Sequence, residues 1–129
     1  MSARLDLRWL PGDHSICRLA PKSALPEWAA GRFLSATRTP EELSIVCEAG
    51  AVPAEVRSEG PYALLRVEGA LELGLVGILA SLTGPLAAAG VPLFALSTFD
   101  TDYVLVRVAD RPRAERALAE VGHRFAAGE

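Results

Sequence analysis

From residue 73 to residue 99 the chain carries no charged side chain, and that run decides most of what it can fold into. It reads LGLVGILASLTGPLAAAGVPLFALSTF and lies between Glu72 and Asp100. A transmembrane helix needs roughly 20 consecutive apolar residues, so length alone permits a span. The punctuation argues against one. Gly84-Pro85 and Gly90-Val91-Pro92 interrupt the run, and a proline inside a helix loses a hydrogen bond and crowds the preceding turn. The flanks are acidic, with no Lys or Arg beside them to fix an orientation. Two buried elements are predicted instead. One is a helix over residues 75–89, with Leu75, Leu79, Leu82 and Leu86 at spacings of three and four and Gly90 as its stop. The other is a strand over 92–98. The turn FDTD and a strand over 103–108 complete a unit that a strand over 62–67 begins.

Half of the 129 residues are hydrophobic and 22% are charged, a composition that builds a folded core and not a disordered chain. The formal net charge of −3 leaves no basic face for counterion release, which excludes nucleic acid as the expected partner and disfavours a membrane surface. The first residues, MSARLDLRWLPGDHS, lack the basic segment, apolar core and small-residue cleavage site of a signal peptide, so a cytoplasmic location is expected. Cys17 and Cys47 fall in strand-like stretches and read as buried free thiols. Neither a metal nor a cofactor is expected.

Leu5, Leu7 and Trp9 alternate with polar residues ahead of the turn Pro11-Gly12-Asp13, so two strands open the chain, the second over 15–19. Residues 20–31 carry three breakers and read as loop, with Trp28 plugging the edge of a core. A hairpin follows, over 33–37 and 43–47. Residues 51–56 are expected to form a short helix with Pro53 in its first turn. Ser58-Glu59-Gly60-Pro61 is the expected internal boundary, dividing the chain into 1–59 and 60–129. Near the C-terminus Asp110 is placed as the cap of a helix whose stripe is Ala114, Ala117, Leu118 and Val121. His14 and His123 read as surface histidines.

A displacement of 60 lays FLSATRTPEELSIVC (33–47) over LFALSTFDTDYVLVR (93–107), and one of 48 lays residues 12–19 over 60–67. The pattern repeats: strand, polar turn, strand, then a proline-started segment in both copies. Each copy reads β-α-β-β-α-β, with the first helix of the first copy largely lost. The expected fold class is therefore α+β: two ferredoxin-like units with antiparallel sheets, the first degenerate.

The stretch GPYALLRVEGALELGLVGILASLTGPLAAAGVPLFALSTFDTDYVLVR resembles the ACT domains of aspartokinase-type regulatory regions. Its strongest signature is STFDTDYVLV, and LPGDHSICRLAP and RTPEELSIVC are similar to the N-terminal half of small bacterial tandem-ACT proteins, which look like half of the animal cytosolic arginine sensor. The resemblance implies a non-catalytic allosteric module that binds a small amino acid, works as a homodimer and acts on a regulated protein. Its site would consist of Glu72, Leu73, Gly74, Leu75 and Val76 with Thr98, Phe99, Asp100, Thr101 and Asp102. RTPEE in place of the FDTD turn makes a second site in the first copy doubtful.

The chemistry of these residues points the same way. A free amino acid needs donors for its carboxylate, which a helix N-terminus offers, and an acceptor for its ammonium, which Asp100 and Asp102 offer. Gly74 and Gly77 would let a ligand approach the backbone, and Phe99 would close the apolar side. Asp100 and Asp102 equally suit a turn that bonds its own backbone, and the glycines equally suit close packing. No G-x-S-x-G elbow, phosphate-binding glycine loop or H-E-x-x-H is present, so the chain is not expected to be an enzyme. The competing class is a scaffold of the same fold without a ligand. A hydrolase or transferase using Cys47 with His14 as nucleophile and base is a third class, and it requires a geometry that sequence does not give.

Overall fold

The computed structural model describes residues 4–69 and 76–127. The chain forms two compact units, one of Met1–Pro11 with Ala63–Glu129 and the other of Gly12–Tyr62. The mixed α+β architecture expected from the periodicity is present in the first of these units, where both α-helices of the described residues lie, and residues 1–11 group with 63–129 and not with the residues that follow them.

The first unit contains β1 (Asp6–Trp9), the second half of β5 (Ser58–Val67), α1 (Ile78–Ala88), β6 (Phe94–Ser97), β7 (Asp102–Arg107), α2 (Arg111–Glu120) and β8 (Arg124–Phe125). Its strands run in the order β6-β7-β5-β1-β8. A ferredoxin-like unit places its last strand beside its first; here β1 takes that slot, antiparallel to β5 with Leu7 opposite Val67, and β8 pairs parallel to β1. Side chains explain why β1 belongs here. Leu7 and Trp9 point to the face that carries Ala63, Leu65, Val67, Val104 and Val106, and α1 and α2 cover it with Leu82, Leu86, Ala114 and Leu118. Trp9 stacks on Phe125 with centroids 6.1 Å apart, lies under the Arg111 guanidinium at 4.7 Å, and donates from Nε1 to Glu115 Oε1 at 2.7 Å.

Among the described residues no helix is long and apolar enough to cross a membrane. α1 nevertheless keeps Pro85 inside it. Proline has no N–H, so the carbonyl four residues back, that of Ser81, loses its helical donor. His123 replaces that donor. Its ring is buried, Nδ1 accepts the Leu5 N–H at 3.0 Å, and Nε2 lies 2.8 Å from the Ser81 carbonyl. Because Nδ1 accepts, the proton of the neutral ring sits on Nε2 and is donated to Ser81. The expectation of a surface histidine is thus overturned by a backbone donor and acceptor that both needed a partner.

α2 starts at Arg111 with Asp110 before it, but the Asp110 side chain makes no cap bond. A 3-10 turn, Val108–Asp110, holds Asp110 in a helical conformation, and its carboxylate accepts from Arg113 Nη2 at 2.9 Å instead.

The second unit contains β2 (His14–Leu19), β3 (Ser35–Arg38), β4 (Leu43–Glu48) and the start of β5, in the order β3-β4-β2-β5. Cys17, Ala29, Leu43, Ile45 and Cys47 form its core, flanked by the partly buried Leu19, Trp28, Val52 and Val56. The chain between β2 and β3 covers this core without a helix, and Trp28 fills the role expected of it. The helix expected over 51–56 is a 3-10 turn at Ala49–Ala51, because Val52 precedes Pro53 and is held extended at φ −81°, ψ 123°. β5 runs through the expected boundary at 58–61. Two residue steps on β2 (His14 to Ile16) face three on β5 (Tyr62 to Glu59), so Gly60 and Pro61 form a bulge.

His14 is also buried, edge-on to Phe33 with centroids 6.0 Å apart, and its Nδ1 has no hydrogen-bond partner among the described residues. Burial pushes its pKa below the ordinary 6.5, and the Glu48 and Asp13 carboxylates oppose that push without overcoming it. The unfolded chain therefore binds a proton that the folded chain resists. Stability from this group is complete above about pH 6.5 and declines as pH falls from there toward the folded pKa. Urea unfolding between pH 8 and pH 5 should show that decline, and His14→Phe should flatten it; an equal slope in the variant assigns the effect elsewhere.

Candidate functional site

The described end of β5 and the turn before β7 enclose an open cavity of about 250 Å³, lined by Arg66, Glu68, Gly69, Asp100, Thr101 and Tyr103 over Val67. Its geometry starts with a conflict of charge. Arg8 on β1 stands directly opposite Arg66 on β5. Like charges in that position repel. Glu68 resolves it: its Oε1 accepts from Arg8 Nε at 2.5 Å and its Oε2 from Arg66 Nε at 2.8 Å. Arg66 and then Arg8 hold the Glu68 carboxyl below the ordinary carboxylate range, so it stays ionised. Arg8 also donates from Nη1 to the Ala127 carbonyl.

The turn is built by its threonines. Thr98 N donates to the Thr101 carbonyl at 2.9 Å, and Thr101 N reaches Thr98 Oγ1 at 3.3 Å. Thr101 is buried and its hydroxyl donates to the Val67 carbonyl at 2.7 Å, which fastens the turn to the end of β5.

Of the residues assigned from sequence, Asp100 and Thr101 line the cavity. Thr98 supports the turn without lining it. Asp102 opens β7 and its Oδ1 accepts from Ser97 Oγ at 2.7 Å across the β6–β7 pair. Phe99 is 78% exposed and Val76 90% exposed, so neither side chain closes an apolar wall. Glu72, Leu73, Gly74 and Leu75 lie outside the described residues. α1 begins at Ile78, later than residue 75, because Gly77 ahead of it takes the left-handed φ of 82°. Arg66, Glu68 and Tyr103 also line the cavity and carry no assignment from sequence; the signal available was the alternation that puts Arg66 and Glu68 on one side of the strand end.

The corresponding end of the second unit has a different content. Arg18 Nη2 donates to the Glu41 carbonyl at 2.9 Å, and Arg38 donates to the carbonyls of Pro21 and, at 2.8 Å, Ser23. Arginine side chains bridge the chain after β2 and the β3–β4 turn. Catalysis by Cys47 with His14 is geometrically unavailable. Cys47 pairs with Ser15, so it shares a face with Ser15, and His14 points to the other face. Burial also raises the pKa of both thiols, that of Cys17 to about 11, which withholds the thiolate.

The first unit, an antiparallel sheet covered by two helices with a polar cavity where β5 meets the turn before β7, has the α+β layout of a ferredoxin-like fold. The ACT-domain family model matches residues 57–120, and a second model, for an N-terminal domain, matches residues 12–55. A crystal structure of a protein from Agobacterium tumefaciens is 38% identical, covers 99% of this chain and 96% of its own, and superposes with a TM-score of 0.91. The chain belongs to the ACT-domain family. A Vibrio cholerae protein of unknown function, described as a possible transport protein, is 24% identical over 90% of this chain and 88% of its own, with a TM-score of 0.75. The regulatory subunit of aspartate kinase from Thermus thermophilus shares the fold at a TM-score of 0.60 and 11% identity, over 87% of this chain and 94% of its own. No curated protein matches the chain.

Proposed function

We propose that this protein is a non-catalytic sensor that binds a small amino acid in the cavity at the end of β5 and passes the change to a regulated protein. The observation that carries it is the cavity itself, which offers a guanidinium at Arg66 and a carboxylate at Asp100 within one small polar space. Those are the two charges that a zwitterion needs to meet. The aspartokinase regulatory subunits, which share the fold, support the regulatory role. The bridged end of the second unit favours one ligand per chain. A cytoplasmic homodimer is the assembly that goes with this reading.

A ligand that binds only the folded state raises the melting temperature, by the equivalent of about 2.7 kcal/mol at a hundred times its Kd. A thermal-shift screen against the common amino acids, with light scattering on the same samples, should give a rise with one or two of them and a dimer mass. Asp100→Ala should remove the rise, and Asp102→Ala, whose carboxylate is occupied by Ser97, should leave it. No rise with any amino acid would transfer the protein to the scaffold class.

A further inference from the structure

We infer that Thr101 is a positioning residue of this cavity, one that acts on the ligand through Asp100 by fixing that residue against the end of β5. The inference rests on the amino-acid-sensor reading above. The cavity has two walls that are far apart in sequence, residues 66–69 at the end of β5 and residues 100–103 around the start of β7. The Thr101 hydroxyl crosses between them, donating to the Val67 carbonyl at 2.7 Å over 34 positions of chain. Val67 is the last residue of β5 and stands opposite Leu7 on β1. The bond therefore grips a paired strand at the point where the chain leaves it.

On the turn side both backbone groups of Thr101 are held by Thr98. Thr98 N donates to the Thr101 carbonyl at 2.9 Å, and Thr101 N reaches Thr98 Oγ1 at 3.3 Å. Asp100 lies inside that closed turn, one residue before Thr101, so a shift of Asp100 along β5 requires breaking one of these bonds. Packing does not replace them, because Phe99, the large apolar side chain of the turn, is 78% exposed. Thr101 itself is buried, and a hydroxyl has one proton to give. With that proton committed to Val67, a ligand carboxylate gains no donor from Thr101, and what the residue contributes is the place of its neighbour.

The test compares the full chain with Thr101→Val, which keeps the shape and removes the hydroxyl, and Thr101→Ser, which keeps the hydroxyl and removes a methyl. Amide exchange by NMR is measured first, without ligand, as the rate at Thr98 relative to the rates at Val104 and Val106. A general loss of stability speeds all three amides, so the ratio reads the turn alone. Calorimetric titration with each common amino acid in turn then gives Kd. Thr101→Val should raise both the exchange ratio and the Kd of the best ligand by about tenfold or more, the loss that one buried hydrogen bond commands. Thr101→Ser should keep both within about threefold of the parent. An unchanged Kd in Thr101→Val overturns the inference, as does a loss in Thr101→Ser equal to that in Thr101→Val, which would assign the effect to packing. A weakened Kd with an unmoved exchange ratio also overturns it, since the hydroxyl would then meet the ligand directly. Each of these leaves the sensor reading intact, whereas absence of binding by every amino acid to the parent chain overturns both.

Discussion

Replacing His123 by Leu should destabilise the protein by about 2–4 kcal/mol, and the same replacement in a Pro85→Ala background should cost roughly half as much. The first figure follows from two buried backbone groups losing their partners at once, the Leu5 N–H and the Ser81 carbonyl, each worth about 1–3 kcal/mol when left unpaired. The second follows from the cause of the vacancy at Ser81. Alanine at position 85 restores the N–H that proline lacks, so the helix satisfies Ser81 itself and His123 has Leu5 left to serve. Urea unfolding of the four proteins closes the cycle, and a coupling of about 1–2 kcal/mol is expected. Additivity within about 0.5 kcal/mol would mean that the histidine and the proline are not coupled through Ser81.

That pair shows where sequence stops being legible. The helix and its proline are both visible in the uncharged run. What answers Pro85 lies 38 residues further along, in a histidine whose local surroundings read as surface. Periodicity reports which face of an element is apolar, and it reports nothing about which distant side chain meets an orphaned carbonyl. β1 is a second case. Its alternation of Leu5, Leu7 and Trp9 identified a strand, but the choice of β5 as its neighbour depends on the face those residues must cover, under α1 and α2.

The candidate site divides in the same way. Asp100 and Thr101 line the cavity, and sequence points to them because a polar turn between two apolar strands is a local signal. Sequence does not point to Arg66 and Glu68, because their meaning depends on Arg8 arriving opposite Arg66, a matter of register between strands far apart in sequence. Register also places Asp102, two residues beyond Asp100, opposite Ser97, to which it is bonded.

Gly60→Ala should cost about 2–3 kcal/mol. At φ +153° an L side chain is strained, at about 1–3 kcal/mol for such sparsely populated backbone. The new Cβ would also stand 3.0 Å from the His14 carbonyl oxygen and 3.2 Å from Ser15 Oγ. The carbonyl is backbone in a paired strand, so relief requires moving β2 against β5. Gly50→Ala is the matched control, since a Cβ there meets nothing within 4 Å, and its effect should stay within about 0.5 kcal/mol. Equal stability of the two variants in urea would show that the bulge yields freely. The opposite result explains why Gly60 and Pro61 sit inside a strand at all. Proline cannot donate to a ladder, and the extra residue carries it past the point where β2 would require a donor, at the cost of a conformation that glycine alone holds without strain.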